Sequence, residues 1–284
     1  MEIPESWPGA EFGRYVDAGG LTWRVNIRGR GPVVLLLHGT GASAHSWVPL
    51  APLLESQFTL VMPDLPGQGF SELADVRHST LTGMARAVAS LLETLAIEPV
   101  LVVGHSAGAA VACALSLTGR ANPAAIVSIN GALLPFGRAA APVFSRAAKF
   151  LASSSVFPHL VALHAVSRKP VERMLRQTGS DLPPEMVRCY RTLLGDAGHV
   201  AGTLRMMANW DLVQLEENFD RLEPLLVLLC CDNDLVGAPA QGEELKRRFP
   251  PARLEYMAGL GHLGHEEAPE LFAEFLRDLA EEVL

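Results

Sequence analysis

The sequence predicts an α/β fold, a mostly parallel eight-stranded sheet with helices on both faces and a helical lid inserted after the sixth strand. Three observations carry this. Short runs rich in Val, Leu and Ile recur with continuous rather than alternating hydrophobicity, the mark of strands covered on both faces. Helical patterns lie between most of these runs, and such alternation builds parallel sheets. One long stretch then breaks the alternation.

In chain order, Tyr15 to Asp17 and Leu21 to Ile27, separated by Ala18-Gly19-Gly20, read as a leading antiparallel hairpin. The buried-strand runs are Val33 to Leu37, Thr59 to Met62, Val100 to Val103, Ala125 to Ile129, Leu225 to Leu229 and Arg253 to Met257. Helices are expected at Trp47 to Leu54, Leu81 to Leu95, Ala107 to Thr118, Ala240 to Phe249 and Pro269 to Val283, where apolar residues fall three and four apart. Between Ile129 and Leu225 the chain runs far longer than an ordinary helix-to-strand connection. Its segments Ala139 to Leu151, Pro158 to Val166, Pro170 to Thr178, Pro184 to Leu194 and His199 to Asn209 read as helices parted by Pro or Gly. Lacking strand partners, they are expected to lay their apolar faces over the C-terminal edge of the sheet. The expected organisation is one core in two parts, residues 1–130 and 223–284, with the lid at 131–222.

Composition narrows the function. Apolar residues make up 49% of the chain, enough for a sizeable core and too many for a disordered protein. The net charge of -8 and the lack of a Lys/Arg-rich run argue against nucleic acid, whose phosphates need clustered cations. Cys113, Cys189, Cys230 and Cys231 form no CxxC pair, and three of them sit in apolar surroundings, as reduced buried thiols of a cytoplasmic protein do. The acidic start MEIPESWPGAEFG lacks the features of a signal peptide, and no apolar run approaches the roughly 20 residues of a membrane span.

Gly104-His105-Ser106-Ala107-Gly108 follows a strand pattern and opens a helical one, the setting of a G-x-S-x-G nucleophile elbow. A serine hydroxyl is a weak nucleophile until an imidazole takes its proton, so a histidine must come from elsewhere in the chain. The expected order is Ser, acid, His. Asp234, after the run Leu225 to Leu229, and His262, after the last strand, both fall at C-terminal strand ends, where open α/β sheets place their sites. Asp232 competes in the same turn; Asp234 is preferred because the orienting carboxylate usually lies a few residues beyond the strand. His265 competes with His262, whose flanking glycines better suit a loop reaching back to Ser106. The His-x-x-His spacing lacks a third ligand, so neither a metal nor another cofactor is expected. His105 is read as packing around the site rather than as the base.

The oxyanion formed after attack requires fixed N–H donors, expected from Ala107 and Thr40, the latter in the loop His38-Gly39-Thr40-Gly41. His38 and Gly39 of that loop, with Phe136, His199, Met206, Met207 and Trp210, are the candidate lining of a large apolar pocket; Asn130 and Leu134 lie near it. The turn Asp64-Leu65-Pro66-Gly67-Gln68-Gly69 is read as structural.

With these motifs in place, the chain resembles the α/β-hydrolase superfamily over essentially its full length. Leu36-Leu37-His38-Gly39-Thr40-Gly41-Ala42, Asp64-Leu65-Pro66-Gly67, Gly104 to Ala110, Asn130-Gly131-Ala132-Leu133-Leu134-Pro135-Phe136, Thr178-Gly179-Ser180, His199-Val200-Ala201-Gly202, Met206 to Leu212 and Gly259-Leu260-Gly261-His262-Leu263 resemble one branch of it. That branch is the magnesium-chelatase accessory family of bacteriochlorophyll synthesis, the O protein of that gene cluster. The resemblance implies a cytoplasmic role near magnesium insertion into protoporphyrin, with a porphyrin or magnesium chelatase as partner. Gln68 stands where relatives commonly have His.

Two functions are expected to compete. One is hydrolysis of an ester or related acyl bond of an apolar substrate through an acyl-Ser106 intermediate. The other is a non-catalytic accessory protein that holds a porphyrin or contacts the chelatase. Dehalogenase and epoxide hydrolase chemistry is disfavoured, because those elbows carry Asp where this chain has Ser106, while perhydrolase and carbon–carbon bond hydrolase chemistry stay open.

Overall fold

The computed structural model describes residues 2–73, 75–135, 154, 156–165 and 167–284. The strands are β1 (Gly13–Ala18), β2 (Leu21–Gly29), β3 (Val33–Leu37), β4 (Thr59–Pro63), β5 (Leu101–His105), β6 (Ala125–Ile129), β7 (Leu225–Cys231) and β8 (Arg253–Met257). They form one sheet in the order β1-β2-β4-β3-β5-β6-β7-β8. β2 pairs antiparallel with both β1 and β4, and every other pairing is parallel. The longer helices are α1 (Leu81–Leu95), α2 (Ala107–Leu117), α3 (Phe157–Ala165), α4 (Arg168–Arg176), α5 (Pro184–Leu194), α6 (Ala197–Asn209), α7 (Ala238–Arg248) and α8 (Pro269–Val283).

Successive strand residues point to opposite faces, and in this sheet both faces are covered. Leu35, Leu37, Val102, Ile126, Leu226 and Leu228 join a core with α1, α2 and Leu245 of α7. Val34, Leu36, Val103, Val127, Val227 and Leu229 join a second core with Trp47, Leu50 and Leu54, and with Phe272, Leu276 and Leu279 of α8. That is why the central strands read as unbroken apolar runs. The edge strand β8 is only partly covered and carries Arg253, Glu255 and Tyr256, a charged edge that resists pairing with another chain.

The expected helix Trp47 to Leu54 is instead two short turns, Ala44–Trp47 and Ala51–Leu54. Pro49 and Pro52 lack the N–H groups a continuous helix would need there. His265 belongs to a separate turn, Gly264–Glu267, rather than to the start of the last helix, which begins at Pro269. Between β6 and β7 the described chain is helical, α3 to α6 followed by the turn Val213–Glu216. The expected helix Ala139 to Leu151 lies outside the described residues. All four cysteines are buried free thiols, and burial pushes each up to about 12. No helix of the described residues is long and apolar enough to cross a membrane.

Candidate active site

Ser106 sits between the end of β5 and the first residue of α2 with φ 51 and ψ -117. A non-glycine residue rarely adopts positive φ, and here close packing imposes it. A Cβ on Gly104 would lie 2.4 Å from the Ala109 nitrogen, and one on Gly108 would lie 2.2 Å from the Leu37 carbonyl oxygen. Both glycines therefore let α2 press against the ends of β3 and β5. Ser106 N–H donates to Ile129 O (3.0 Å), and Ser106 O accepts from Ala132 N–H (3.1 Å) and Ala109 N–H (3.2 Å).

Asp234 lies in the turn after β7. Its Oδ1 accepts from the N–H groups of Val236 (2.6 Å) and Gly237 (3.2 Å), and its Oδ2 lies 2.6 Å from His262 Nδ1. Asp232 is exposed, and its Oδ1 accepts from Gly259 N–H at 2.6 Å. The structure thus pairs Asp234 rather than Asp232 with His262. The His262 loop is tied down from three directions. Asn130 Nδ2 and His105 Nε2 each donate to His262 O at 2.9 Å, Asn130 Oδ1 accepts from Cys231 N–H (2.7 Å), and Thr178 O accepts from both His262 N–H and Leu235 N–H at 3.2 Å. Ser180 Oγ accepts from Leu263 N–H (2.8 Å). A segment of the helical insertion therefore braces the acid and histidine loops together. No hydrogen bond joins Ser106 Oγ to His262 among the described residues; the two are neighbours through His105, whose ring packs on that of His262 with centroids 4.7 Å apart.

The loop after β3 is held at almost every polar group. His38 Nδ1 donates to Gly39 O (2.8 Å) while its Nε2 accepts from Leu65 N–H (2.8 Å). Gln68 Oε1 accepts from Gly41 N–H at 2.6 Å. His199 Nε2 donates to Gly41 O (3.2 Å), and its Nδ1 accepts from Gly69 N–H (2.9 Å). Burial lowers both histidines to about 4, so each is a neutral imidazole with its one donor and one acceptor used. Gln68 Nε2 and Thr40 Oγ1 reach Met206 Sδ at 3.1 and 3.7 Å, which ties this loop to α6. Thr40 N–H and Ala107 N–H, by contrast, donate to no acceptor among the described residues.

Thr40, Ser106 and Ala107 line a cleft of about 1120 Å³, together with Met206, Met207 and Trp210. The cleft runs on past Leu81, Leu117 and Leu212 to Asn218 and Arg221. Its far walls include Thr80, Thr82, Asn209, Asp211 and Gln214, and Asp211, Gln214 and Arg221 are exposed. The expected dry, apolar cavity is therefore an open cleft with apolar and polar walls, because the short turn Val213–Glu216 brings polar residues to its rim. His38, Gly39 and His199 do not line it; the two histidines are spent on bracing the backbone. Phe136 lies outside the described residues. Sequence reasoning did not single out Gln68, Asn130 or Thr178 for the supporting parts they play. The positive φ of Asn130 (45°) has no one-residue signature, and the other two act through partners far away in sequence.

A family model described as the alpha/beta hydrolase family matches residues 34–275. The chain is 34% identical over 282 residues to the magnesium-chelatase 30 kDa subunit of Rhodobacter capsulatus, covering 98% of each chain. Among solved structures, a thermophilic esterase from Thermogutta terrifontis has a TM-score of 0.75 at 22% identity, covering 95% of this chain and 98% of that one. An epoxide hydrolase from Vigna radiata has a TM-score of 0.76 at 20% identity with the same coverage. Sheet order, elbow and full-length similarity agree, and the chain belongs to the alpha/beta hydrolase family.

Proposed function

We propose that the protein is a cytoplasmic serine hydrolase, carboxylesterase-like, that cleaves an ester or related acyl bond of a largely apolar substrate. Ser106 attacks the acyl carbon, His262 takes the serine proton and returns it to the leaving group, and Asp234 orients the imidazole and stabilises its cation. The N–H groups of Thr40 and Ala107 stabilise the oxyanion. Met206, Met207 and Trp210 hold the apolar body of the substrate. The observation that carries this reading is the strained Ser106 on a cleft beside two backbone donors without protein acceptors, with the Asp234–His262 pair on the adjoining loop. A fluorophosphonate probe is expected to label the wild-type protein and leave Ser106→Ala unlabelled. An unlabelled wild type would remove the hydrolase reading.

A second reading is favoured by the similarity to the magnesium-chelatase 30 kDa subunit and by the volume of the cleft, about 1120 Å³. In it the protein is an accessory factor of bacteriochlorophyll synthesis that holds a porphyrin or contacts magnesium chelatase, without turnover. Protoporphyrin would then quench tryptophan fluorescence at micromolar concentrations, and less so in Trp210→Phe, whether or not Ser106 reacts.

A further inference from the structure

The helical insertion carries a surface that neither reading uses. Val156, Leu160 and Leu163 fall at i, i+4 and i+7 at and just before α3, and are 61%, 58% and 72% exposed. That spacing places three aliphatic side chains on one stripe. α4 packs against α3 and carries Lys169, Arg173 and Arg176 at the same spacing, with Met174 exposed among them. Between these helices lies a groove of about 350 Å³ lined by His164, Lys169, Pro170, Arg173, Met174 and Gln177. Lys169 and Arg173 have no acidic partner among the described residues, and Arg176 has only an exposed pair with Asp181 at 3.8 Å. Residues 156–177 hold Arg168, Lys169, Arg173 and Arg176 against Glu172, a net charge of +3 in a chain of net charge -8, so the rest carries -11.

We propose that this face docks on an anionic phospholipid bilayer. The aliphatic stripe enters the acyl boundary while Lys169 and Arg173 take headgroup phosphates into the groove. Each half of the patch alone suits other occupants, but together they narrow the choice. A nucleic acid would match the cations and leave three aliphatic side chains in water. A neutral bilayer would cover the aliphatic stripe and offer no countercharge. An anionic bilayer satisfies both and repels the acidic remainder of the molecule, so a single face docks. α3 also packs against α6, whose Met206 and Met207 line the cleft, so the docked face and the cleft share one helical layer.

Flotation of the full chain tests this with vesicles of phosphatidylcholine alone and of phosphatidylcholine with roughly a third phosphatidylglycerol. The protein is expected to float with the anionic vesicles, not with the neutral ones, and to be released by high salt. Each Lys or Arg near an anionic surface contributes about fivefold, so the pair Lys169→Gln and Arg173→Gln should lower partitioning about 25-fold. The pair Leu160→Ser and Leu163→Ser should lower it about tenfold or more. These side chains are exposed, so an unchanged melting temperature confirms that both variants fold. Failure to float with anionic vesicles at low salt, or flotation unaffected by either pair, overturns the proposal. Self-association that the leucine pair abolishes, without vesicle binding, would overturn it too and assign the face to a second copy of the chain.

Discussion

Asp234 Oδ2 lies 2.6 Å from His262 Nδ1, whereas Asp232, two residues earlier in the same turn, is engaged with Gly259 N–H. One turn thus splits its two carboxylates between orienting an imidazole and closing a loop. The division follows from burial: Asp234 is 7% exposed and receives two backbone N–H groups on its other oxygen. Asp232 faces water.

Replacing Asp234 by Asn should leave the fold intact and lower kcat for an activated ester by about 10⁴, because the imidazole loses its orienting acceptor and the charge that stabilises its cation. Asp232→Asn should change kcat little. Steady-state kinetics of the two variants with a p-nitrophenyl ester check this, and equal effects would return the acid role to an open contest.

Gln68 anchors the loop that carries Thr40, through Gly41 N–H at 2.6 Å. Gln68→Ala should misplace the Thr40 N–H and lower kcat by up to about 100-fold, the cost of shifting a catalytic group by about 1 Å. KM should stay nearly constant, because the apolar wall is untouched. Affinity for a boronic acid, which mimics the tetrahedral state, should fall in step with kcat; a loss confined to KM would contradict the bracing role.

Glu266 is buried, accepts from the hydroxyls of Ser46 and Tyr190, and is pushed by burial from 4.5 to about 7. The folded protein holds this proton more tightly than the unfolded chain does. The stability it adds is therefore complete below pH 4.5 and lost as pH rises through about 7. Glu266→Gln keeps the acceptor and removes the titration. Urea melts across that range should show the variant gaining about 3 kcal/mol relative to wild type. Burial lowers His38 and His199 to about 4 and His265 to about 3; all three act with the opposite sign, removing stability as pH falls from 6.5, and both proteins share that trend.

Gly108→Ala should destabilise the protein by about 3 kcal/mol or more, since the added methyl would meet two backbone oxygens, of Leu37 and His38, that strand pairing holds in place. Gly20→Ala meets nothing within 4 Å and is strained only by its φ of 77°, so a smaller loss is expected. Chemical denaturation of both variants makes the comparison.

The alternation of Val33–Leu37, Leu101–His105 and Ala125–Ile129 with helical patterns was legible in the sequence because burial on both faces leaves a one-dimensional trace of unbroken apolar residues. The elbow around Ser106 was legible for a similar reason: Gly104 and Gly108 answer to contacts with local backbone that only glycine permits. Spacing also placed an acid and a histidine at the ends of β7 and β8, and there its power stopped. The pairing of Asp234 with His262 spans 28 positions, and the bonds of Gln68 to Met206, His199 to Gly69 and Asn130 to His262 span 138, 130 and 132. No local pattern encodes them. The same imidazole can bind a ligand or brace a backbone, and His38 and His199 became braces only when folding buried them against peptide groups that would otherwise lack partners. Hydrophobic periodicity places elements because burial is a property of each residue; the tertiary structure alone decides partners, because a hydrogen bond is a property of two.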